Sequence, residues 1–249
     1  MTEEMVPVSL DDPMTFDCSP GVSCFNQCCR DLNQFLMPYD IIRLKNNLGL
    51  SSGSFLNQYT LCHFGPESGF PVVTLKFDSD SNMACPFVTD RGCSVYPDRP
   101  ASCRMYPVAR AISRSRKTGD IAEYFALVEE PHCRGFGIKE GQTVGQWLRG
   151  QDVVLHNQMN DKLMELISLK NRLMPGELEQ GLAEKFYLAC YDMDAFKREV
   201  FEKNLLEGFS VFPGDLDKAR NDETVLLDLG IAWLKYVLFG VEYGGNGQT

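Results

Sequence analysis

The spacing of hydrophobic residues changes near residue 140 and divides the sequence into two parts. In the first part, cysteine, proline and glycine interrupt the apolar residues, which is typical of short elements joined by loops. In the second part, apolar residues recur every three or four positions, as in amphipathic helices. The pattern predicts an α+β fold that is mainly α with a small β element, in which a cysteine-rich irregular core precedes a helical carboxy-terminal half.

The first part contains two predicted helices. Pro38 suits a first helical turn, the apolar residues that follow it lie on one face, and Gly49 suits the end of the helix. Ser52 or Ser54 is predicted to cap a second short helix that reaches Tyr59.

Strands are predicted where β-branched and aromatic residues cluster. Residues 72–77 form one predicted strand, residues 78–82 have the composition of a turn, and residues 83–88 are predicted to return as its hairpin partner. Residues 90–92 form another predicted tight turn. Residues 121–129 form a further predicted strand. Three prolines predict irregular backbone around the cysteines that follow residue 92.

The second part reads as a series of helices. The predicted helices cover residues 143–150, 153–174, 177–206 (one or two helices) and 223–240, with a loop at 212–215. Four segments follow from the whole pattern: a flexible acidic arm (1–15), a cysteine-cluster domain (16–140), a helical region that packs on it (141–243) and a flexible tail (244–249).

The composition, with 44% hydrophobic residues, is that of a globular protein with a real core. The amino terminus has no basic segment followed by an apolar run, and no stretch of about 18 apolar residues occurs. We therefore expect a cytoplasmic protein without a membrane span. Because the cytosol keeps thiols reduced, clustered cysteines there favour metal binding over disulfides.

The net charge of −10 argues against general nucleic-acid binding. The charge is uneven, because residues 91–117 carry +6 and the remainder carries −16. Three interpretations of this basic segment stay open. It forms a solvated basic face, it offsets the negative charge of a thiolate–metal centre, or it binds an anionic or protein partner.

Eight of the ten cysteines form an array, and their thiolates are soft, strong metal ligands. The candidate metal ligands are Cys18, Cys24, Cys28, Cys29, Cys85, Cys93, Cys103 and Cys133. Cys62 and Cys190 lie apart from these clusters and are predicted to be buried packing residues. The irregular core is thus predicted to bind metal, with zinc or iron as the cofactor.

The spacing of the cysteines does not identify the metal. The first four are compact enough to supply three ligands to one centre, whereas the side chains of the adjacent pair Cys28 and Cys29 tend to diverge. Neither cluster has the spacing of a zinc ribbon or of a ferredoxin. Two mononuclear sites, a bridged binuclear site and an iron–sulfur cluster all stay open. His63 and His132 adjoin cysteines and are predicted to be structural, with a nitrogen ligand as the alternative, whereas His156 is predicted not to be a ligand.

Four segments resemble the YkgJ-type cysteine-cluster family, which is described as a zinc- or iron-chelating domain. They are FDCSPGVSCFNQCC, LMPYDIIRL, CPFVTDRGCSVYPDRPASCRMYPV and CRGFG. The resemblance covers about residues 16–140 and implies that the eight array cysteines form the metal site. One departure is the spacing of the first cluster, where family members often have Cys-x2-Cys-x2-Cys-Cys with glycine, and not Gln27, before the last pair.

Within the most diagnostic run, the family resemblance draws attention to two arginines and two tyrosines. Arg99 and Arg104 are predicted either to donate hydrogen bonds to coordinated sulfur or to nearby carbonyls, or to form surface salt bridges. Tyr96 and Tyr106 are predicted to pack in the core.

A metal-binding protein without catalysis of its own is the expected function. The alternative is an iron–sulfur-dependent oxidoreductase or a methyltransferase-like enzyme, because a related cysteine cluster occurs in flagellin lysine N-methylases. The sequence contains no glycine-rich strand–turn–helix fingerprint of a nucleotide-type cofactor. A disulfide-stapled module is a third interpretation.

Overall fold

A computed structural model describes residues 4–65, 69–77, 80, 82–114, 121–138 and 141–244 of the 249 residues. With 46% helix and 19% strand, the fold is mixed α+β, as predicted. The chain divides into two compact units, which we call the cysteine unit (residues 1–32 and 77–155) and the helical unit (residues 33–76 and 156–249). This division differs from the predicted boundary at residue 140, because residues 33–76 belong with the carboxy-terminal helices.

The elements of the described residues follow in chain order. The strands are β1 (Glu4–Val8), β2 (Pro13–Met14), β3 (Phe35–Leu36), β4 (Thr60–Phe64), β5 (Pro71–Leu75), β6 (Val88–Thr89), β7 (Gly92–Cys93), β8 (Val108–Arg114), β9 (Ile121–Glu129) and β10 (Gln142–Thr143). The helices are α1 (Pro38–Leu48), α2 (Ser52–Tyr59), α3 (Ala101–Met105), α4 (Val144–Gly150), α5 (Val154–Leu173), α6 (Gln180–Cys190), α7 (Met193–Glu202), α8 (Pro213–Ala219) and α9 (Glu223–Phe239). The β structure is thus larger than the small element predicted.

Three small antiparallel sheets form the cysteine unit, with strand orders β1-β9-β8, β10-β2 and β6-β7. Strand β9 has the predicted bounds, and the predicted turn after residue 89 joins β6 to β7. Residues 4–8 and 13–14 are strands, although the sequence predicted a loosely held arm there. Residues 4–8 pair with residues 125–129, far along the chain, so a short window of sequence did not contain this signal. The predicted tail lies outside the described residues except for Gly244.

The core of the cysteine unit surrounds one phenylalanine. The ring of Phe16 makes edge contacts with Tyr106, Phe136 and Trp147 at centroid distances of 6.0, 5.1 and 5.4 Å. The other buried members of this cluster are Met14, Val108, Val144, Leu148 and Val153. The side chain of Cys133 packs against the same cluster, so the core holds one candidate metal ligand directly.

The helical unit contains the sheet β3-β5-β4, in which the buried strand β5 lies between two partners. The predicted hairpin between residues 72–77 and 83–88 is therefore wrong. Val73 pairs with Leu36 and Cys62, whereas Val88 pairs with Cys93. A buried central strand needs a partner on each side, and the hydrophobic pattern does not show which segments supply them. Part of the predicted turn at residues 78–82 lies outside the described residues.

Helix signals in the sequence were reliable. Helix α1 begins with Pro38 and ends before Gly49, whose φ of 65° is the left-handed conformation that glycine favours. The cap of α2 is Ser51, one residue before the predicted position, and its side chain accepts from the Ser54 amide. Helices α4, α5, α6, α7 and α9 occupy the predicted segments. The predicted loop at residues 212–215 is wrong, because Pro213 begins α8.

Helix α9 packs against α1, α6, α7 and α8, and seven of its seventeen residues are buried while the others are half-buried. It approaches α6 so closely that a Cβ at Gly230 would lie 2.7 Å from the carbonyl oxygen of Ala189. Lys45 of α1 is buried and pairs with Glu223 at 2.6 Å and with Asp194 at 3.6 Å. Among the described helices, none combines the length and the apolar character needed to cross a membrane.

Candidate metal centre

All ten cysteines lie in the described residues, and all are free thiols. The eight array cysteines belong to the cysteine unit, whereas Cys62 and Cys190 belong to the helical unit. Cys190 is fully buried in α6, as predicted. Cys62 is exposed, so the prediction that it packs in the core is wrong. It lies on β4, an edge strand whose side chains from residue 61 onward are exposed.

A first group of thiols brings together residues far apart in sequence. Burial, followed by the charges of Cys28, Cys24 and Cys133, raises the pKa of Cys18 to about 11. An interaction with Cys29 is the largest cause that raises the pKa of Cys28, and burial adds to it. Cys133 thus lies near the first cysteine cluster, although about 100 residues separate them in the chain.

A main-chain donor supports the first group. The amide of Arg134 donates to Sγ of Cys24 at 3.0 Å. The loop that carries the cluster is fixed by turns, and its Asn26 side chain donates to the carbonyl oxygen of Thr89 at 3.0 Å. The first cysteine loop is therefore tied to strand β6.

A second group forms around the β6–β7 hairpin, which brings Cys85 near Cys93. Burial raises the pKa of both thiols, while backbone amides of Phe87 and Val88 oppose the rise at Cys85, and that of Val95 opposes it at Cys93. Each sulfur thus receives main-chain N–H groups two or three residues further along the chain. The amide of Cys85 also donates to the carbonyl oxygen of Cys29 at 2.8 Å.

Cys103 lies exposed on α3 and Cys93 lies on β7, although irregular backbone was predicted around both. The segment between them is held by two buried arginines. Arg104 donates to the carbonyl oxygens of Arg99, Gln151 and Pro97, and Arg99 donates to the Tyr96 carbonyl and to the Gln151 side chain.

The diagnostic arginines thus satisfy nearby carbonyls, which was one of the predicted roles. The charge of Arg99 also lowers the pKa of Cys93 against the larger effect of burial. Arg110 pairs with Glu123 at 2.6 Å. Three cations of the basic segment, Arg99, Arg104 and Arg110, thus interact with other groups of the protein. The predicted basic residues Arg116 and Lys117 lie outside the described residues.

Next to Cys133 lies a cluster of polar side chains that the sequence did not predict. Burial is the largest cause that raises the pKa of Tyr106, and Cys133 and then Glu130 add to it. His132 Nε2 lies 3.6 Å from the Glu130 carboxylate. The Tyr106 hydroxyl and His132 Nε2 are buried and have no hydrogen-bond partner among the described residues. The Tyr106 ring packs in the core, as predicted, whereas Tyr96 is exposed, so the same prediction for Tyr96 is wrong.

The other histidines lie in the helical unit. His156 is buried, and its Nδ1 lies 3.1 Å from Oδ1 of Asp40, which gives it a structural role. His63 is exposed on β4, where its ring lies 6.4 Å from that of Phe35.

The donor set of the cysteine unit fits a thiophilic metal. The unit supplies eight thiols, the Arg134 amide donates to Cys24, and main-chain N–H groups lie near the sulfurs of Cys85 and Cys93. Such donors are found around metal-bound ligands. As their side chains stand, no three Cys, His, Asp or Glu residues in the described part of the chain converge closely enough to hold a metal ion.

One family model matches the chain. It is named CxxCxxCC, is described as a "Putative zinc- or iron-chelating domain" and covers residues 17–134. The chain is therefore similar to this family over residues 17–134, which bears out the predicted resemblance to the YkgJ-type family over that part of the chain. The match supports binding of a metal ion. No curated protein and no solved structure matches the chain significantly.

Proposed function

We propose that this protein binds zinc or iron through thiolates of the cysteine unit and has no catalytic activity of its own. One observation carries the proposal. The segment that matches a chelating family is the same segment in which Cys18, Cys24, Cys28 and Cys133 lie within reach of one another's charge. Reduced thiols are needed for such binding, so the proposal includes a cytoplasmic location.

The eight array cysteines are proposed as ligands in two groups of four. The first group is Cys18, Cys24, Cys28 and Cys133, and the second is Cys29, Cys85, Cys93 and Cys103. Support for this division comes from the charge interactions around Cys18 and from the hydrogen bond between the backbones of Cys85 and Cys29. Four thiolates match the tetrahedral preference of zinc. Cys28 and Cys29 would then serve different groups.

Metal binding must displace protons, because the thiolate and not the thiol is the ligand. Burial raises the pKa values of Cys18, Cys85 and Cys93, and the interaction with Cys29 followed by burial raises that of Cys28, so these thiols are protonated in the metal-free protein. Binding therefore releases protons.

Elemental analysis of protein purified without oxygen tests the proposal. We expect stoichiometric zinc or iron, bound less by the Cys133→Ser variant and unchanged in Cys62→Ser, which removes an exposed thiol outside the array. Absence of stoichiometric metal from the wild type contradicts the proposal. Equal metal content in Cys133→Ser and the wild type removes Cys133 from the ligand set.

A visible absorption spectrum of the same samples distinguishes bound zinc from bound iron. Zinc gives a colourless protein, whereas iron coordinated by sulfur absorbs visible light. The iron–sulfur oxidoreductase or methyltransferase-like alternative stays a prediction, and a colourless, zinc-only protein after anaerobic reconstitution contradicts it. The anionic or protein partner of residues 91–117 likewise stays a prediction.

A further inference from the structure

Strand β4 forms an open edge of the sheet in the helical unit. It pairs with β5 on one side, and no other strand of the described residues pairs with it. Its side chains from residue 61 onward are exposed, and those of Leu61 and Phe64 belong to residues that are 54% and 56% accessible to solvent. Proteins usually protect such edges with charged residues or proline, yet β4 (TLCHF) contains no lysine, arginine, aspartate, glutamate or proline. An edge of this kind is a template for a further strand.

The main chain of β4 presents hydrogen-bonding groups on its free side. Immediately before the strand, the Lys76 amide donates to the carbonyl oxygen of Tyr59 at 2.8 Å. Pairs that exchange hydrogen bonds alternate along an antiparallel ladder, so residues 61 and 63 are the ones that bond to β5. The N–H and C=O groups of Cys62 and Phe64 therefore point away from β5, where an added strand would meet them.

A pocket lies beside this edge, within the same unit. Its volume is about 310 Å³, and it opens to solvent. Thr60 and Cys62 of β4 line it together with helix α2, with Tyr187 of α6 and with Asp192, which precedes α7. Because Cys62 belongs both to the pocket and to the free edge, a strand added to β4 would place alternate side chains at the mouth of the pocket.

The carboxylate of Asp192 gives this pocket its charge. Its Oδ1 accepts from the Ser52 hydroxyl at 2.6 Å and from the Ala195 amide at 3.3 Å, which fixes the carboxylate. In the described part of the chain, Oδ2 has no hydrogen bond or ion pair. A Cβ at Gly53 would lie 3.6 Å from Oδ2, so the missing side chain leaves space beside this oxygen. Among the described residues that line the pocket, none is a lysine, an arginine or a histidine.

When an extended peptide binds to a sheet edge, main-chain hydrogen bonds give affinity and a pocket beside the edge selects a side chain. We propose that β4 docks an extended segment of a partner protein, which adds a fourth strand to the sheet β3-β5-β4 and places a lysine or arginine in the pocket beside Asp192. A second copy of this chain fits less well, because β4 has no lysine or arginine to offer to the pocket. The inference concerns the helical unit and does not depend on metal binding.

Binding of short capped peptides to the reduced full-length protein tests the proposal. In the probe peptide of seven residues, threonine alternates with valine and a lysine takes the central position. In two matched peptides, glutamate or methionine replaces the lysine. Amide shifts in NMR spectra locate the binding site, and titration gives the affinity. We expect the lysine peptide to bind most tightly and to shift the amides of Cys62 and Phe64. No binding, shifts confined to other elements, or equal affinity for the lysine and glutamate peptides overturns the proposal.

The variant Asp192→Asn examines the pocket. Asparagine keeps the oxygen that caps α7 and removes the charge. Affinity for the lysine peptide should fall about fivefold, as for a partly exposed ion pair, and affinity for the methionine peptide should not change. The control Asp217→Asn removes an exposed charge of α8 outside the pocket and should alter neither affinity. Equal losses for the lysine and methionine peptides would mean that Asp192 only supports the fold, and would contradict the proposal.

The variant Cys62→Pro examines the edge, because proline removes the outward N–H of residue 62 and is tolerated on edge strands. Binding of all three peptides should be lost, while the unfolding midpoint of Trp233 in urea stays that of the wild type. If the variant does not fold, N-methylation of the peptide amides removes hydrogen bonds to the edge in the wild-type protein. Retained binding in either experiment overturns the proposal. If the wild type is a dimer that Cys62→Pro dissociates without peptide, a second copy occupies β4 and the proposed partner is wrong.

Discussion

The two units of this protein bury very different numbers of apolar side chains. The cysteine unit has 111 residues and the helical unit has 138. Of the forty buried apolar residues in the described part of the chain, ten belong to the cysteine unit and thirty to the helical unit. The helical unit is thus held by an ordinary hydrophobic core, whereas the cysteine unit has a small core and eight thiols.

The difference indicates where each unit obtains its stability. Several strands of the cysteine unit have only two residues, and its helices have five and seven. Such short elements bury little apolar surface, and burial is the dominant favourable contribution to folding. Structural metal sites contribute folding free energy directly, on the order of 10 kcal/mol for zinc bound by thiolates. Metal should therefore matter to the cysteine unit and not to the helical unit.

Removal of the metal is expected to have the largest effect and to separate the units. Each unit contains one tryptophan, Trp147 in α4 and Trp233 in α9. The variants Trp233→Phe and Trp147→Phe therefore report on one unit each. Adding a strong chelator should shift the emission of Trp147 to longer wavelength, as for an exposed indole, and leave that of Trp233 unchanged.

Hydrogen exchange of the backbone amides tests the same expectation element by element. Residues 33–76 lie between the cysteine clusters in sequence but belong to the helical unit. Hydrogen exchange after chelation should stay slow in α1 and β5 and become fast in β8 and β9. Slow exchange in all four elements would show that the cysteine unit folds without metal.

Two matched core substitutions are expected to have the next largest effect. Phe16 and Phe196 are both fully buried, one in each unit. Removing a buried phenylalanine ring costs about 3–5 kcal/mol. Phe196→Ala should lower the unfolding midpoint of Trp233 in urea with or without chelator. Phe16→Ala should weaken metal binding and should have no effect on the chelated protein, in which its unit is already unfolded.

One result would contradict the difference in stability between the two units. If Phe16→Ala lowers the unfolding midpoint of Trp147 by the same amount in the presence and absence of chelator, the small core stabilises the cysteine unit by itself.

Acid should unfold the two units in different pH ranges. The smallest expected effect comes from one carboxylate of the helical unit, that of Asp194. Burial raises the pKa of Asp194, but the Ser52 amide at 2.6 Å and Lys45 outweigh it, so the pKa lies below its ordinary value of 3.8. A lowered folded-state pKa stabilises the protein above pH 4 and ceases to do so as pH falls through the folded value. Protons compete for metal-bound thiolates at higher pH than this.

Emission of the two tryptophans during acidification measures the difference. Trp147 should change first, as metal is lost, and Trp233 only below pH 4. Asp194→Asn should cost about 1 kcal/mol at pH 7, and this cost should shrink towards pH 2 because the wild-type carboxylate is then protonated. If Trp147 and Trp233 change at the same pH, the two units do not differ in their response to acid. If the cost of Asp194→Asn does not depend on pH, the carboxylate of Asp194 does not stabilise the protein through its lowered pKa.

Much of the local structure could be predicted from the sequence. Pro38 and Gly49 marked the ends of α1, the periodicity located most helices after residue 140, and β9 had the predicted bounds. These features depend on neighbouring residues, so a short window contains the information. The partners of β5 could not be predicted, because strand pairing depends on surfaces that meet only after the chain folds.

The candidate site shows the same limit. The sequence identified the eight array cysteines and the resemblance to the family, since both depend on residue types at fixed spacings. It did not show that Cys133 lies near Cys18. The sequence by itself determined the local elements and the donor chemistry. Only the tertiary structure decided which donors meet and that residues 33–76 join the helical unit, because those choices follow from long-range packing and burial.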